Sequence, residues 1–240
     1  MKTLKSMRKT LEIDKPLKYG CEFCAREFVK ETTLFSHMCE YKHRWLEKDK
    51  HSNRVGFQAW LQFYQKNMLT KKTKTYEEFI KSAYYTAFIK FGAYCVGVNA
   101  INIGRFTEWL LKNQIKIDNW CTDTTYTRYL VEYLRNEDPL DAIHRSIETT
   151  IEWAEKDNIM SNDYLRYGNT NRICQLICNG KISPWLLFQS NSGVKFLDTL
   201  NQEHVKLIFD YINPEQWALK FHREPENVRE VKEILTAGGY

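Results

Sequence analysis

No run of about 18 apolar residues occurs in this 240-residue chain, so no membrane-spanning helix is expected. The first residues, MKTLKSMRKTLEIDKP, contain lysines but no apolar stretch behind them, which argues against a secretory leader. The cysteine count is seven, an odd number that suits a reducing, intracellular compartment better than a disulfide framework. There is no glycine loop to cradle phosphate, no nucleophile elbow and no zinc-protease helix motif. Lys71-Lys72-Thr73-Lys74 lacks the glycines of a P-loop and reads as an exposed basic loop. His204 and His222 have no acid at a telling spacing. An enzyme is therefore not supported. Strand signals are scarce after residue 50, and neither a repeat nor a low-complexity segment is present.

What the chain does have is aromatics, at 14% of residues, enough for a well-packed core. Its net charge of +5 is unevenly spread. Residues 1–75 hold 17 Lys and Arg against 8 Asp and Glu, whereas residues 76–240 hold 18 against 22. A local basic excess is an electrostatic footprint for phosphate polymers or anionic surfaces.

The most informative segment reads Tyr19-Gly-Cys21-Glu-Phe-Cys24, then Phe28 and Leu34, then His37 and His43. Two residues separate the cysteines, twelve separate Cys24 from His37, and five separate His37 from His43. The segment resembles the Cys2His2 zinc-finger family at its diagnostic positions. The resemblance implies a ββα fold and one zinc ion held by Cys21, Cys24, His37 and His43. Metal would supply what so small a core cannot, on the order of 10–16 kcal/mol in free finger peptides. The doubtful ligand is the fourth. On an ideal helix His43 faces away from His37, so the last turn must unwind. Cys39 competes, but two residues beyond His37 it points across an ideal helix.

By the same resemblance, Lys30, Thr33 and Ser36 would face a nucleic-acid groove, with Thr32 assisting and Glu31 adding a negative charge. One finger covers about three base pairs, so basic neighbours would have to help. The candidates are Lys2, Lys5, Arg8 and Lys9 before it, Arg44, Lys48, Lys50 and Arg54 after it, and Lys71, Lys72 and Lys74 beyond. Phe35 stands where the family is usually polar, and suits packing on the body or on a partner.

Other clusters read as structural. Asp141, His144 and Glu148, with Glu152 and Glu155, form the solvated face of one helix. Cys174 and Cys178, among Ile173, Leu176 and Ile177, are small buried hydrophobes, and Cys95 and Cys121 are isolated and buried.

The expected organisation is a basic lead-in (1–18), the finger (19–43), a basic linker and helix (44–75), and an all-α domain of eight to ten helices (76–240). A helix with an aromatic stripe covers 57–68. The capping-box pair Thr75 and Glu78 opens one running to about residue 96. Further helices cover 103–113, Thr124–Arg135 capped by Asp123, a long one from Asp138-Pro139, and Asn169–Asn179 stopped by Gly180. Ser183-Pro184, Asn213-Pro214 and Glu224-Pro225 divide the tail. The stretch from Arg172 to Phe188 is loosely similar to a segment of the all-helical helicase-loading proteins of tailed bacteriophages, which implies a phage replication or transcription accessory role. The leading expectation is a mainly α, non-enzymatic zinc-finger protein that binds DNA or RNA without a membrane. The alternative is a zinc-stabilised interaction protein in which Phe35 and Trp45 meet a partner.

Overall fold

The computed structural model describes residues 18–67 and 73–240. Most of the basic lead-in, together with Lys71 and Lys72, lies outside the described residues.

The chain enters through a two-stranded antiparallel ribbon, β1 (Tyr19–Gly20) and β2 (Glu27–Phe28), with Tyr19 opposite Phe28. The reversal is tight. Cys21 N–H donates to the Arg26 carbonyl at 2.9 Å and Ala25 N–H to the Cys21 carbonyl at 2.8 Å, with Ala25 in the left-handed region at φ 57°. Two short helices follow, α1 (Glu31–Ser36) and α2 (Glu40–Leu46). Everything described beyond is helical, as the scarcity of strand signals anticipates.

Helix α3 (His51–Asn67) begins six residues earlier than the aromatic stripe alone suggests. The helix expected from Thr75 to about residue 96 is instead two. The capping box of Thr75 and Glu78 forms and opens α4 (Tyr76–Ile80). The chain then turns through residues 81–84 before α5 (Tyr85–Gly97). Trp60 Nε1–H donates to Ser82 Oγ at 3.2 Å, and Ser82 Oγ also accepts from Tyr84 N–H, so a serine holds the turn where periodicity implied helix. Helices α3 and α5 then cross with their backbones nearly touching. A Cβ on Gly92 would lie 2.0 Å from the Ser52 carbonyl oxygen, and one on Gly56 would lie 2.4 Å from that of Phe88.

Helix α6 (Ile103–Lys112) is capped by Asn102. Helix α7 (Asp123–Asn136) is capped by Thr122 rather than Asp123, the hydroxyl accepting from Thr125 N–H. Asp138 caps α8 (Pro139–Asp157), with proline in its first turn. The remaining chain is cut into α9 (Tyr164–Tyr167), α10 (Thr170–Cys178), α11 (Pro184–Gln189), α12 (Asn191–Asp198), α13 (Gln202–Ile212), α14 (Pro214–Arg223) and α15 (Pro225–Ala237). Helices are thus shorter and more numerous than the expected eight to ten, because Ser, Asn and Pro caps recur throughout the second half.

The aromatics are core. Phe57, Trp60, Phe79 and Tyr85 pack ring against ring, as do Phe88, Phe91 and Trp120, and Trp185, Trp217 and Phe221. Trp60, Trp120, Trp185 and Trp217 are all fully buried. The Arg172–Phe188 stretch is the centre of the second half, since Ile182, Trp185, Leu186 and Leu187 are buried completely. Cys95 and Cys174 are buried as expected, whereas Cys121 and Cys178 are only partly so.

One buried ion pair joins this core. Glu137 receives both guanidinium Nη groups of Arg145, at 2.6 and 2.8 Å, and Arg145 Nε–H donates to the Gly180 carbonyl at 2.9 Å. Gly180, at φ 69°, occupies a conformation that disfavours a side chain, and a Cβ there would strike Ile101 and Leu130. At the far end, Tyr240 and Thr150 share a hydroxyl hydrogen bond of 2.7 Å, which fastens the last residue to α8.

Candidate metal centre

Four side chains converge between the β1–β2 reversal and the start of α2. Cys21, Cys24, His37 and Cys39 each offer a ligand atom, and these atoms lie within 4.8 Å of one another. Cys21 Sγ is 3.9 Å from Cys39 Sγ, and Cys24 Sγ is 3.3 Å from His37 Nε2. A tetrahedral zinc site has metal–sulfur bonds of about 2.3 Å and metal–nitrogen bonds of about 2.0–2.1 Å, which imply S···S edges near 3.8 Å and S···N edges near 3.6 Å. The separations bracket those edges. Three sulfurs and an imidazole nitrogen are also a donor set of the structural zinc type.

Expected ligands Cys21, Cys24 and His37 are brought together; the fourth is not the expected one. His43 lies outside the cluster, on α2, its Nε2 3.8 Å from Glu47 Oε1 and its side chain largely exposed. The physical reason is a break in the helix. Helix α1 ends at Ser36, and His37 and Cys39 both take extended backbone conformations. On an extended chain, side chains two apart point to the same side. Cys39, which a continuous helix would turn away, therefore returns to the sulfurs. Its Sγ also accepts from Lys42 N–H at 3.4 Å and caps α2. The group brought together is therefore Cys3His, and His43 is not part of it.

Burial acts to raise the Cys21 thiol, but the N–H groups of Cys24 and Phe23 and the neighbouring sulfurs of Cys24 and Cys39 outweigh it and hold it below its ordinary value. At Cys24 the Arg26 N–H acts to lower the thiol. Desolvation and the sulfurs of Cys21 and Cys39 win, and Cys24 is raised. Thiolates this close resist simultaneous ionisation unless a cation lies between them. The other cysteines differ: burial, with the nearby Cys121, pushes Cys95 up to about 12, and burial, with Cys174, pushes Cys178 up to about 11. Raised values of this kind go with thiols of low reactivity.

The small core of the finger is present. Phe28 packs against His37 with the rings tilted and their centroids 4.8 Å apart. From there the site is fastened to the helical body. Phe23 meets Trp45, and Trp45 meets Tyr76 edge-on at 5.9 Å. Arg44 Nη1 donates to the Ile80 carbonyl at 2.5 Å, its guanidinium lies 4.2 Å over the Tyr85 ring, and Nη2 pairs with Glu40. The Tyr76 hydroxyl donates to the Arg44 carbonyl at 3.5 Å.

This packing redistributes the residues expected to hold nucleic acid. Arg44 is turned into the body. Lys48 Nζ sits 4.4 Å over the Trp45 ring, and Lys74 Nζ is paired with Glu78 at 2.8 Å. Lys30, just before α1, and Thr33 and Ser36 on it are exposed, with Ser36 Oγ donating to the Thr33 carbonyl. Trp45, expected to meet a partner, instead joins finger to body. Phe35 does not pack on the body: it is 88% exposed, with Val29 at 73% and Met38 at 56%. No described helix is long and apolar enough to cross a membrane.

No protein-family model, no curated protein and no solved structure matches the chain.

Proposed function

We propose that this chain is a zinc-stabilised interaction protein whose finger is a docking element carried on a helical scaffold. Zinc held by Cys21, Cys24, His37 and Cys39 would fold residues 19–39 and fix the start of α2. The observation that carries the reading is Phe35, a large aromatic at 88% exposure on a finger whose flanking cations Arg44, Lys48 and Lys74 are engaged within the molecule. Large exposed apolar side chains on a polar surface are the kind of feature that marks a contact surface. Charge agrees. Residues 18–50 contain seven Lys and Arg against six Asp and Glu, so the finger itself is close to neutral.

The second reading is nucleic-acid binding, favoured by one observation: the segments on either side of the finger are basic. Residues 1–17 hold five Lys and Arg against two acids, and residues 51–75 hold five against none. One experiment separates the two. The zinc-loaded chain is titrated with labelled single- and double-stranded DNA and RNA across a salt series, and in parallel used to capture partners, wild type against Phe35→Ser. Docking is supported by a partner lost in Phe35→Ser with no nucleic-acid affinity near 50 mM salt. Affinity that falls steeply with salt and depends on Lys30 overturns it in favour of nucleic acid.

A further inference from the structure

Beside the metal centre lies a groove of about 290 Å³ on the exposed side of the finger. Leu34 and Phe23 line it, and the exposed ring of Phe35 stands in its wall. Cys21 and His37 contribute to its lining, so the groove borders the candidate metal site. Its apolar part is backed by the body through the Phe23–Trp45 contact.

The polar part is uneven in charge. Glu22 and Glu31 line the groove, are exposed, and have no ion-pair or hydrogen-bond partner among the described residues. The third acid nearby, Glu27, is already paired with Lys18 at 2.6 Å. The one cation in the lining is Lys42, and its ammonium is spent on the His37 carbonyl at 3.2 Å. An apolar slot flanked by two free carboxylates repels phosphate and attracts positive charge.

We infer that the groove docks a peptide segment carrying an apolar side chain next to lysine or arginine, the apolar group against Leu34, Phe23 and Phe35 and the cation near Glu22 and Glu31. This rests on the docking reading of the finger and names its partner's chemistry. Zinc held by Cys21 and His37 would fix part of the groove wall and so keep the ordering cost of binding low.

The test is an array of random decapeptides probed with the zinc-loaded full chain, wild type against Phe35→Ser and against Glu22→Gln/Glu31→Gln. Zinc stoichiometry is measured on each variant to confirm that the finger is intact. The expected result is enrichment of peptides with an apolar residue beside Lys or Arg, lost in Phe35→Ser and weakened at least about tenfold in the double variant, by an amount that shrinks with salt. Enrichment without basic residues, or binding undiminished by Glu22→Gln/Glu31→Gln, overturns the inference. If those peptides still depend on Phe35, the docking reading stands and only the charge rule falls. No enrichment over the Phe35→Ser background overturns both.

Discussion

The Sγ atoms of Cys39 and Cys21 lie 3.9 Å apart, although a continuous helix from Glu31 to His43 would point Cys39 away from the sulfurs. Three thiols and an imidazole in one volume make the metal claim sharp. The purified chain is expected to hold one zinc. Cys24→Ser and Cys39→Ser should lose it or bind it much more weakly, and His43→Ala should keep it. Metal content by atomic emission checks this. Retention in Cys39→Ser together with loss in His43→Ala would restore the Cys2His2 assignment.

Three of the four ligands were legible in the sequence because their spacing is set by a tight turn and a ββα unit, both local. Cys39 was visible only as a competitor to His43, because its position depends on where α1 stops, and nothing between Leu34 and Glu40 carries a Pro or Gly stop signal. The same limit explains the helix expected from Thr75. The period of Phe79, Ala83, Ala87 and Phe91 continues across residues 81–84, while the turn is held by Ser82, whose partner Trp60 is distant in sequence. The cap at Asp138 and the helix start near Asn169 were readable, since a cap acts within three residues. The packing of Arg44 and Trp45 was hidden for a related reason. Sequence shows a cation and an aromatic beside a finger, but only the packing of α2 on α4 shows that both also contact the helical body.

Arg44 ties the finger to the body through the Ile80 carbonyl and the Tyr85 ring. Arg44→Ala should cost about 1–2 kcal/mol, from a lost charge-assisted hydrogen bond and a cation–π contact. Zinc stoichiometry should be unchanged. Urea unfolding gives the first quantity, and metal analysis the second. A stability loss as large as that on zinc removal would show that the body cannot fold without the finger contact.

The crossing of α3 and α5 leaves no room for side chains at Gly56 and Gly92. Alanine normally favours a helix over glycine by about 1 kcal/mol. Here the Cβ of Gly92→Ala would fall 2.7 Å from Gly56 N and 2.0 Å from the Ser52 carbonyl oxygen, both backbone atoms that cannot swing aside. The substitution should therefore destabilise by about 3 kcal/mol or more, as overpacking does when nothing can yield. Gly97→Ala on the same helix, where nothing lies within 4 Å, serves as the control and should be neutral or mildly stabilising. Thermal unfolding of the two variants decides the matter.

Glu137 and Arg145 make the remaining prediction one of pH. Burial raises the Glu137 carboxyl above its ordinary 4.5, against the lowering pull of Arg145 and Ser183. A carboxyl whose folded-state value lies above its unfolded one contributes most below the unfolded value, and loses that contribution as pH rises through the folded one. Removing the guanidinium must widen the gap, because the buried carboxylate then has no counter-charge. Arg145→Met should therefore cost about 3–5 kcal/mol near neutrality, the usual penalty for orphaning a buried charge. Its cost should shrink toward pH 5, where the carboxyl can take up a proton. Adding Glu137→Gln should recover much of the loss at pH 7 and little at pH 5. Urea unfolding of the three proteins at both values measures this, with each variant compared to wild type at the same pH so that metal loss cancels. A cost for Arg145→Met that is equal at the two values would mean that the Gly180 carbonyl contact, not the charge on Glu137, is what Arg145 supplies to the fold.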